Sequence, residues 1–438
     1  MRYTPHTPQD VERALETIGA GSIDDLFADL PQGIRDPEID IPAGLDEVGL
    51  VQHMRGLAER NRPSGPDFLG GGVVRHFIPA VADALTFQSD FVTAYTPYQP
   101  EVSQGLLQGM FEYQSMLAEL TGLDASNSSL YDGSTAVAEA ALLALRQTNR
   151  MRVLVSRGVH PEHRETLATF LGAVGATMQT ADLDGTTSPA GEVSGDIGAV
   201  IVQNPNYLGS LEDLASHAAA AHAAGALLIA VVDPASLAVL KSPGEAGADV
   251  AVGDGQTIGN APNYGGPTFG FIVVKDALVR QLPGRLVGAT RDVDGRRGFV
   301  LTLQAREQHI RRAKAKSNIC SNHALMALQA AIYLAALGPA GLREAATVSA
   351  LRARELEAAL ARCGLPREGA ARYFREFAVR LPLPAAEFRA RLAARGIHAA
   401  VPVPGEYGLG DAALFAASEL TTPADIVALE AALKEVLA

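Results

Sequence analysis

Lysine is scarce in this chain: Lys241, Lys275, Lys314, Lys316 and Lys434 are the only five in 438 residues. Any chemistry that needs a lysine amine therefore has few candidates. Cysteine is scarcer still. Cys320 and Cys363 stand in no CxxC or His-paired spacing, which excludes a disulfide framework and a zinc site and fits a reducing cytoplasm. Positive charge as a whole is short, with 36 Lys plus Arg against 49 Asp plus Glu and a net charge of −13. A chain this acidic is unsuited to non-specific binding of nucleic acid or anionic membranes, so neither is expected as a partner. The opening Met1-Arg2-Tyr3-Thr4-Pro5-His6 lacks the apolar stretch of a signal peptide. The most apolar runs, around Ala218–Val232 and Ala324–Leu337, are broken by His222 and Gln329 and are too short for a bilayer span. The expectation is a cytoplasmic protein without repeats or low-complexity segments.

What is present reads as an ordinary folded chain, 47% hydrophobic and 19% charged. Thr7 before Pro8 marks a helix start that Gly19 closes, and Ser22 with Asp25 starts a second short helix ending before Pro31. Ser103–Leu120 carries Leu106, Leu107, Met110, Phe111, Leu117 and Leu120 at helical spacing, with Gly122 as the stop. Ala136–Leu145 is a further helix. Apolar runs of strand length then alternate with helices: Val153–Val155, Thr177–Thr180, Ala199–Val202, Ala226–Val232, Val250–Val252 and Phe269–Val274. That alternation predicts a parallel sheet covered on both faces, with ligands at the carboxyl ends of its strands. From about Gln304 to Cys363 the pattern turns helical, and the remainder reads strand, helix, strand, strand, helix. The expected divisions are a helical arm over 1–62, a large α/β domain over 63–318 and a small α+β domain over 319–438.

Three features carry the candidate chemistry. Asp132-Gly133-Ser134-Thr135 opens a helix whose free N–H groups and hydroxyls could take an anion, or could simply cap the helix. His160 follows a strand and could stack on a flat ring. Asp233 ends a buried strand, where a turn or helix-cap role is the plain alternative. In this order they resemble the layout of pyridoxal-phosphate enzymes of the aspartate aminotransferase-like fold, fold type I. There the helix holds the phosphate, the ring is covered by an aromatic or histidine, and the aspartate faces the pyridine nitrogen. The fourth element of that layout is a Schiff-base lysine about one strand later. It is missing here. The loop Gly253-Asp254-Gly255-Gln256-Thr257-Ile258-Gly259 contains none, and Gln256 stands in its place. A dinucleotide reading of Gly253, Gly255 and Gly259 fails on spacing, GxGxxxG in place of GxGxxG.

Longer strings narrow the resemblance. Thr96-Pro97-Tyr98-Gln99-Pro100-Glu101 with Ser103-Gln104-Gly105 is similar to the glycine cleavage system P-proteins, the glycine decarboxylases. So are Arg306-Glu307-Gln308-His309-Ile310-Arg311-Arg312, Ser317-Asn318-Ile319-Cys320 and the opening from His6 to Phe27. The length matches one half of that enzyme, and Gln256 in place of lysine matches the non-catalytic, subunit 1 (alpha) type. The resemblance implies a heterodimer, or a tetramer of two pairs, with a lysine-bearing subunit 2 (beta). Together the pair would decarboxylate glycine on the partner's pyridoxal phosphate and pass the aminomethyl group to the lipoyl arm of the H-protein. Under this reading Ser134, Thr135, His160, Asp233 and Gln256 form a vestigial cofactor site. Tyr95, Tyr98, Gln99 and Glu101 are the expected contributors to the partner's site, against a turn organised by Pro97 and Pro100. The alternative is a degenerate paralogue acting as a structural or regulatory scaffold. The basic stretch Arg306–Lys316 is expected to be a solvated or salt-bridged helix face, given the spacing of Arg312 and Lys316.

Overall fold

The computed structural model describes residues 5–35, 37, 40–61, 65–92, 96–316, 319 and 322–438. The chain divides into two compact units, Met1–Pro63 and Ser64–Ala438. In the first, helix Pro8–Ile18 starts in a capping box in which the Thr7 and Asp10 side chains each take the other's backbone N–H. A short 3-10 turn over Asp24–Phe27 and helix Glu47–Arg60, capped by Asp46, follow.

The second unit is built on a seven-stranded sheet of order β1-β7-β6-β5-β4-β2-β3. Its strands are β1 (Ala125–Ser126), β2 (Arg152–Ser156), β3 (Thr177–Ala181), β4 (Ile197–Asn204), β5 (Leu227–Val232), β6 (Val250–Asp254) and β7 (Gly270–Val274). The block from β3 to β6 is parallel, while β7 runs antiparallel to both β6 and β1, so the sheet is mixed. Side-chain alternation divides the inner strands between two cores. Leu228, Ala230 and Val232 of β5 enter one apolar cluster and Ile229 and Val231 enter the other. Burial on both faces is why these strands read as unbroken apolar runs. Helix Gln104–Thr121 ends where Gly122 takes the left-handed conformation, φ 66°.

Beyond the antiparallel β7, where a parallel sheet was expected, two further features depart from the sequence reading. Between β7 and residue 304 lies a hairpin, β8 (Leu286–Arg291) with β9 (Arg297–Thr302). Its strands are completed by glutamines of helix Gln104–Thr121. Gln114 accepts from the Val287 N–H at 2.9 Å and donates to the Val287 carbonyl at 3.0 Å. Gln104 does the same at Phe299, at 2.8 and 2.9 Å. Each primary amide has one acceptor and a donor pair, so it stands in for the missing neighbouring peptide. The stretch from Gln304 is also not one helix. It runs as short turns, Gln304–Arg306, Gln308–Arg311 and Arg312–Lys314, because Arg312 takes φ 50° and breaks the spiral. Arg312 and Lys316 therefore share no helix face.

The long helix starts at Ala324 and runs to Arg362, broken at Gly338 ahead of Pro339. By length and composition it could cross a membrane, unlike the shorter run ending at Leu337. Its first half instead buries Ala327, Ala330, Ala331, Tyr333 and Leu334 against the sheet. Its second half packs Ala353, Leu356, Ala359 and Leu360 under a three-stranded antiparallel sheet. That sheet has the order β10 (Glu376–Arg380), β12 (Ala412–Ala416), β11 (Val401–Pro402). Helix Pro423–Leu437, started by a Thr422–Asp425 capping box, closes the same core.

Gln114→Met should keep the helix yet strand the N–H and carbonyl of Val287. A loss of about 2–4 kcal/mol is expected from two buried backbone groups without partners, read as a lower urea midpoint with unchanged slope.

Candidate functional site

Strand order reverses between β2 and β4, because the chain goes outward to β3 before returning to the other side. In a parallel sheet this reversal opens a crevice at the carboxyl ends. A cavity of about 530 Å³ lies there, lined among others by Ser134, His160, Gln203, Asp233, Asp254 and Gln256. Gly253 and Gly255 are explained by packing. A Cβ on Gly253 would lie 2.2 Å from the Val232 carbonyl oxygen, and one on Gly255 would lie 1.9 Å from the Phe269 ring. These glycines admit neighbours in the protein, which removes their use as a pyrophosphate turn.

Asp233 is already filled. Its Oδ2 takes the Arg375 guanidinium at 2.6 Å, and its Oδ1 takes the Thr257 hydroxyl at 2.7 Å and the Ala235 N–H at 3.1 Å. Arg375 is 6% exposed and also meets His76 Nε2. A guanidinium has no acceptor, so His76 Nε2 must accept and Nδ1 must carry the proton. That proton faces Glu419 Oε2 at 2.9 Å. Burial alone would raise the Glu419 carboxyl, but the bonds from His76 and the Phe77 N–H hold it below its ordinary range. The result is a continuous chain, Glu419–His76–Arg375–Asp233–Thr257.

Gln256 is equally committed. Its Oε1 accepts from the Val74 N–H at 3.2 Å, and its Nε2 donates to the carbonyls of Val74 at 3.0 Å and Asn260 at 2.9 Å. The segment held this way also meets His160, whose Nε2 lies 3.0 Å from the Gly71 carbonyl while its Nδ1 accepts from the Glu162 N–H at 3.2 Å. Glu376 Oε1 accepts from the Gly71 N–H at 2.9 Å. Burial pushes the Glu376 carboxyl up to about 7, opposed by that bond and by Arg375. Thr135 spends both its N–H and its hydroxyl on Asp132, at 2.7 and 2.9 Å, and does not line the cavity. Ser134 does line it.

These residues do not fit covalently held pyridoxal phosphate. Gln256 has no amine, and its amide is used three times over. The aspartate that would face a pyridine nitrogen is neutralised by Arg375. Lys241 and Lys275 do not line the cavity, and Lys275 is bound to Asp249 at 2.7 Å, ahead of the opposite end of β6.

The other expected residues lie elsewhere. Tyr95 falls outside the described residues, as do Ser317, Asn318 and Cys320. Tyr98, Gln99 and Glu101 are exposed and line no part of the cavity. The Tyr98 Oη accepts from Arg285 Nη2 at 3.0 Å, and its ring meets the His309 ring edge-on at 5.7 Å.

The family model described as glycine cleavage system P-protein matches residues 1–431. The chain belongs to the P-protein family. It is 47% identical to a probable glycine dehydrogenase (decarboxylating) subunit 1 of Caulobacter vibrioides, over all of both chains. A crystal structure of glycine decarboxylase (P-protein) of the glycine cleavage system, in inhibitor-bound form, matches with TM-score 0.93 and 56% identity, again over all of both chains. An aspartate aminotransferase of Thermus thermophilus shares the fold at TM-score 0.58 and 18% identity, covering 85% of this chain and 99% of that one. The pyridoxal-phosphate fold type I architecture expected from the sequence is therefore the architecture found.

In this P-protein chain Arg375, His76, Glu376 and Glu419 were not legible beforehand. Arg375-Glu376, two charges opening an apolar strand, is the one local signal. Their partners lie far away, with 142 residues between Arg375 and Asp233. Asp233→Asn should leave Arg375 facing a neutral acceptor and lower stability by about 2–4 kcal/mol. Activity of the assembled enzyme should stay within a few-fold, as checked by denaturation and turnover on the same preparation. Glu376 gives a pH signature. A carboxyl with a folded-state pKa above its unfolded one contributes stability that is full below about 4.5 and is lost as pH rises through about 7. Glu376→Gln should therefore flatten the fall in Tm between pH 5 and 8.

Proposed function

We propose that this chain is the lysine-less subunit of a two-subunit glycine decarboxylase. Its lysine-bearing partner would hold pyridoxal phosphate covalently. The observation that carries this reading is Gln256, spent on Val74 and Asn260 at the position where a cofactor lysine would stand. The full-length likeness to proteins named subunit 1 supports the need for a second subunit. When bound to the partner, the cofactor supplies the electron sink for loss of carbon dioxide from glycine. The remaining aminomethyl group then passes to the lipoyl arm of the H-protein.

The work of this chain is to present surface groups to the partner's site. Tyr98, Gln99 and Glu101 stand on a segment stiffened by Pro97 and Pro100 and anchored at Gln104, whose amide donates to the Pro100 carbonyl at 2.7 Å. Tyr95 belongs to the same proposed set. A cytoplasmic site of action accords with the scarcity of cysteine.

The purified chain, incubated with pyridoxal phosphate and borohydride, should take up no stoichiometric label. It should gain glycine–bicarbonate exchange only when mixed with its lysine-bearing partner. A stoichiometric adduct mapped to Lys241 or Lys275 of the chain alone would overturn the reading.

A further inference from the structure

Resting on the two-subunit reading, we infer that Arg285 is a positioning residue that makes Tyr98 a one-way hydrogen-bond donor to an anionic oxygen held across the subunit contact.

Arg285 Nη2 lies 3.0 Å from the Tyr98 Oη, with the guanidinium carbon 5.5 Å from the ring centroid. A guanidinium only donates, so the phenol oxygen is the acceptor in this pair. The phenol proton must then point to something else. Arg285 is 4% exposed and Tyr98 is 48% exposed, so the pair runs from a buried guanidinium to a half-exposed phenol side chain.

The base is rigid. Ser128 N–H donates to the Arg285 carbonyl at 2.9 Å. Arg306, itself buried, donates to the carbonyls of Leu282 and Gly284, just before Arg285. His309 packs edge-on against the phenol ring and limits its swing.

The surroundings select the sign of the acceptor. Residues 280–316 hold ten of the chain's 36 cationic residues and three of its 49 acidic ones, in a protein of net charge −13. Asp292 and Asp294 are taken by Arg296, and Glu307 is buried with its Oε2 3.8 Å from His309 Nδ1. Arg311, Arg312 and Lys314 are exposed on the same loop as His309, and that loop is closed by the Lys316 N–H on the Arg306 carbonyl at 2.9 Å. A donor aimed outward beside uncompensated positive charge suits a carboxylate or phosphate oxygen. The substrate carboxylate and the cofactor phosphate both carry that chemistry.

The test uses the reconstituted complex with the lysine-bearing partner, in fractions that co-elute with wild type. Tyr98→Phe and Arg285→Met should each lower kcat/KM for glycine–bicarbonate exchange about 10-fold. The double variant should fall no further, because both act through the same phenol hydroxyl. Arg285→Lys, which can also only donate, should retain more activity than Arg285→Gln, which can accept the phenol proton. These two variants serve if Arg285→Met fails to assemble. If the anion is the substrate carboxylate, KM for glycine rises and the cofactor dissociation constant is unchanged. If it is the cofactor phosphate, that dissociation constant rises instead. Multiplicative losses near 100-fold in the double variant would overturn the inference. So would unchanged kinetics, equal Arg285→Lys and Arg285→Gln variants, or a loss with neither constant moved. A wild-type mixture without any exchange would instead defeat the two-subunit reading.

Discussion

The ion pair between Arg375 and Asp233 ties the carboxyl end of a strand of the large sheet to the start of the small one, and both residues line the cavity. Asp233 follows β5 and Arg375 precedes β10, so one 2.6 Å contact joins two separately built layers. Charge and direction both matter. Because Arg375 cannot accept a hydrogen bond, it dictates the tautomer of His76, which in turn fixes the orientation of Glu419. Five side chains from five separate parts of the chain become one network with one polarity. Partial burial strengthens each link and makes each unpaired member costly. The same donor-only property governs Arg306 and Arg285, which organise the loop on the outer surface.

A second recurring device is the glutamine amide used as a peptide. Gln104 and Gln114 complete β9 and β8, and Gln256 pairs with both polar groups of Val74. In each case a side chain supplies the acceptor and donor that a neighbouring strand would have offered. This lets irregular or edge backbone sit in the interior without orphaned groups.

Much of this was legible from the sequence, and the misses have physical causes. The inner strands β4 to β7 were readable because both faces are buried, which leaves apolar runs of strand length, whereas the edge strand β3 has no fully buried residue. The helix stop at Gly122 and the Thr422 cap follow from local backbone preference. The β8–β9 hairpin was missed because its outer end, Thr290 to Gly298, is mostly charged and turn-forming. The helical reading of Gln304 onward overlooked the positive φ at Arg312, which no residue type there announces. Gln256 was visible as a missing lysine. That its amide grips Val74, 182 residues earlier, depends on tertiary contact and could not be read locally. The same holds for Arg285 and Tyr98, separated by 187 residues.

The grip of Gln256 has an evolutionary side. A lysine at that position would bring three donors and no acceptor, leaving the Val74 N–H without a partner in a buried setting. Its ammonium would also need either desolvation or release of the segment from Gly71 to Val74. Arg375 would still occupy Asp233. Building a lysine-held cofactor site here would thus require simultaneous changes at residues far apart in the chain, each harmful alone. An amide at this position therefore works as a ratchet: once the surrounding hydrogen bonds have closed on it, its replacement by an amine is hard to reach one substitution at a time.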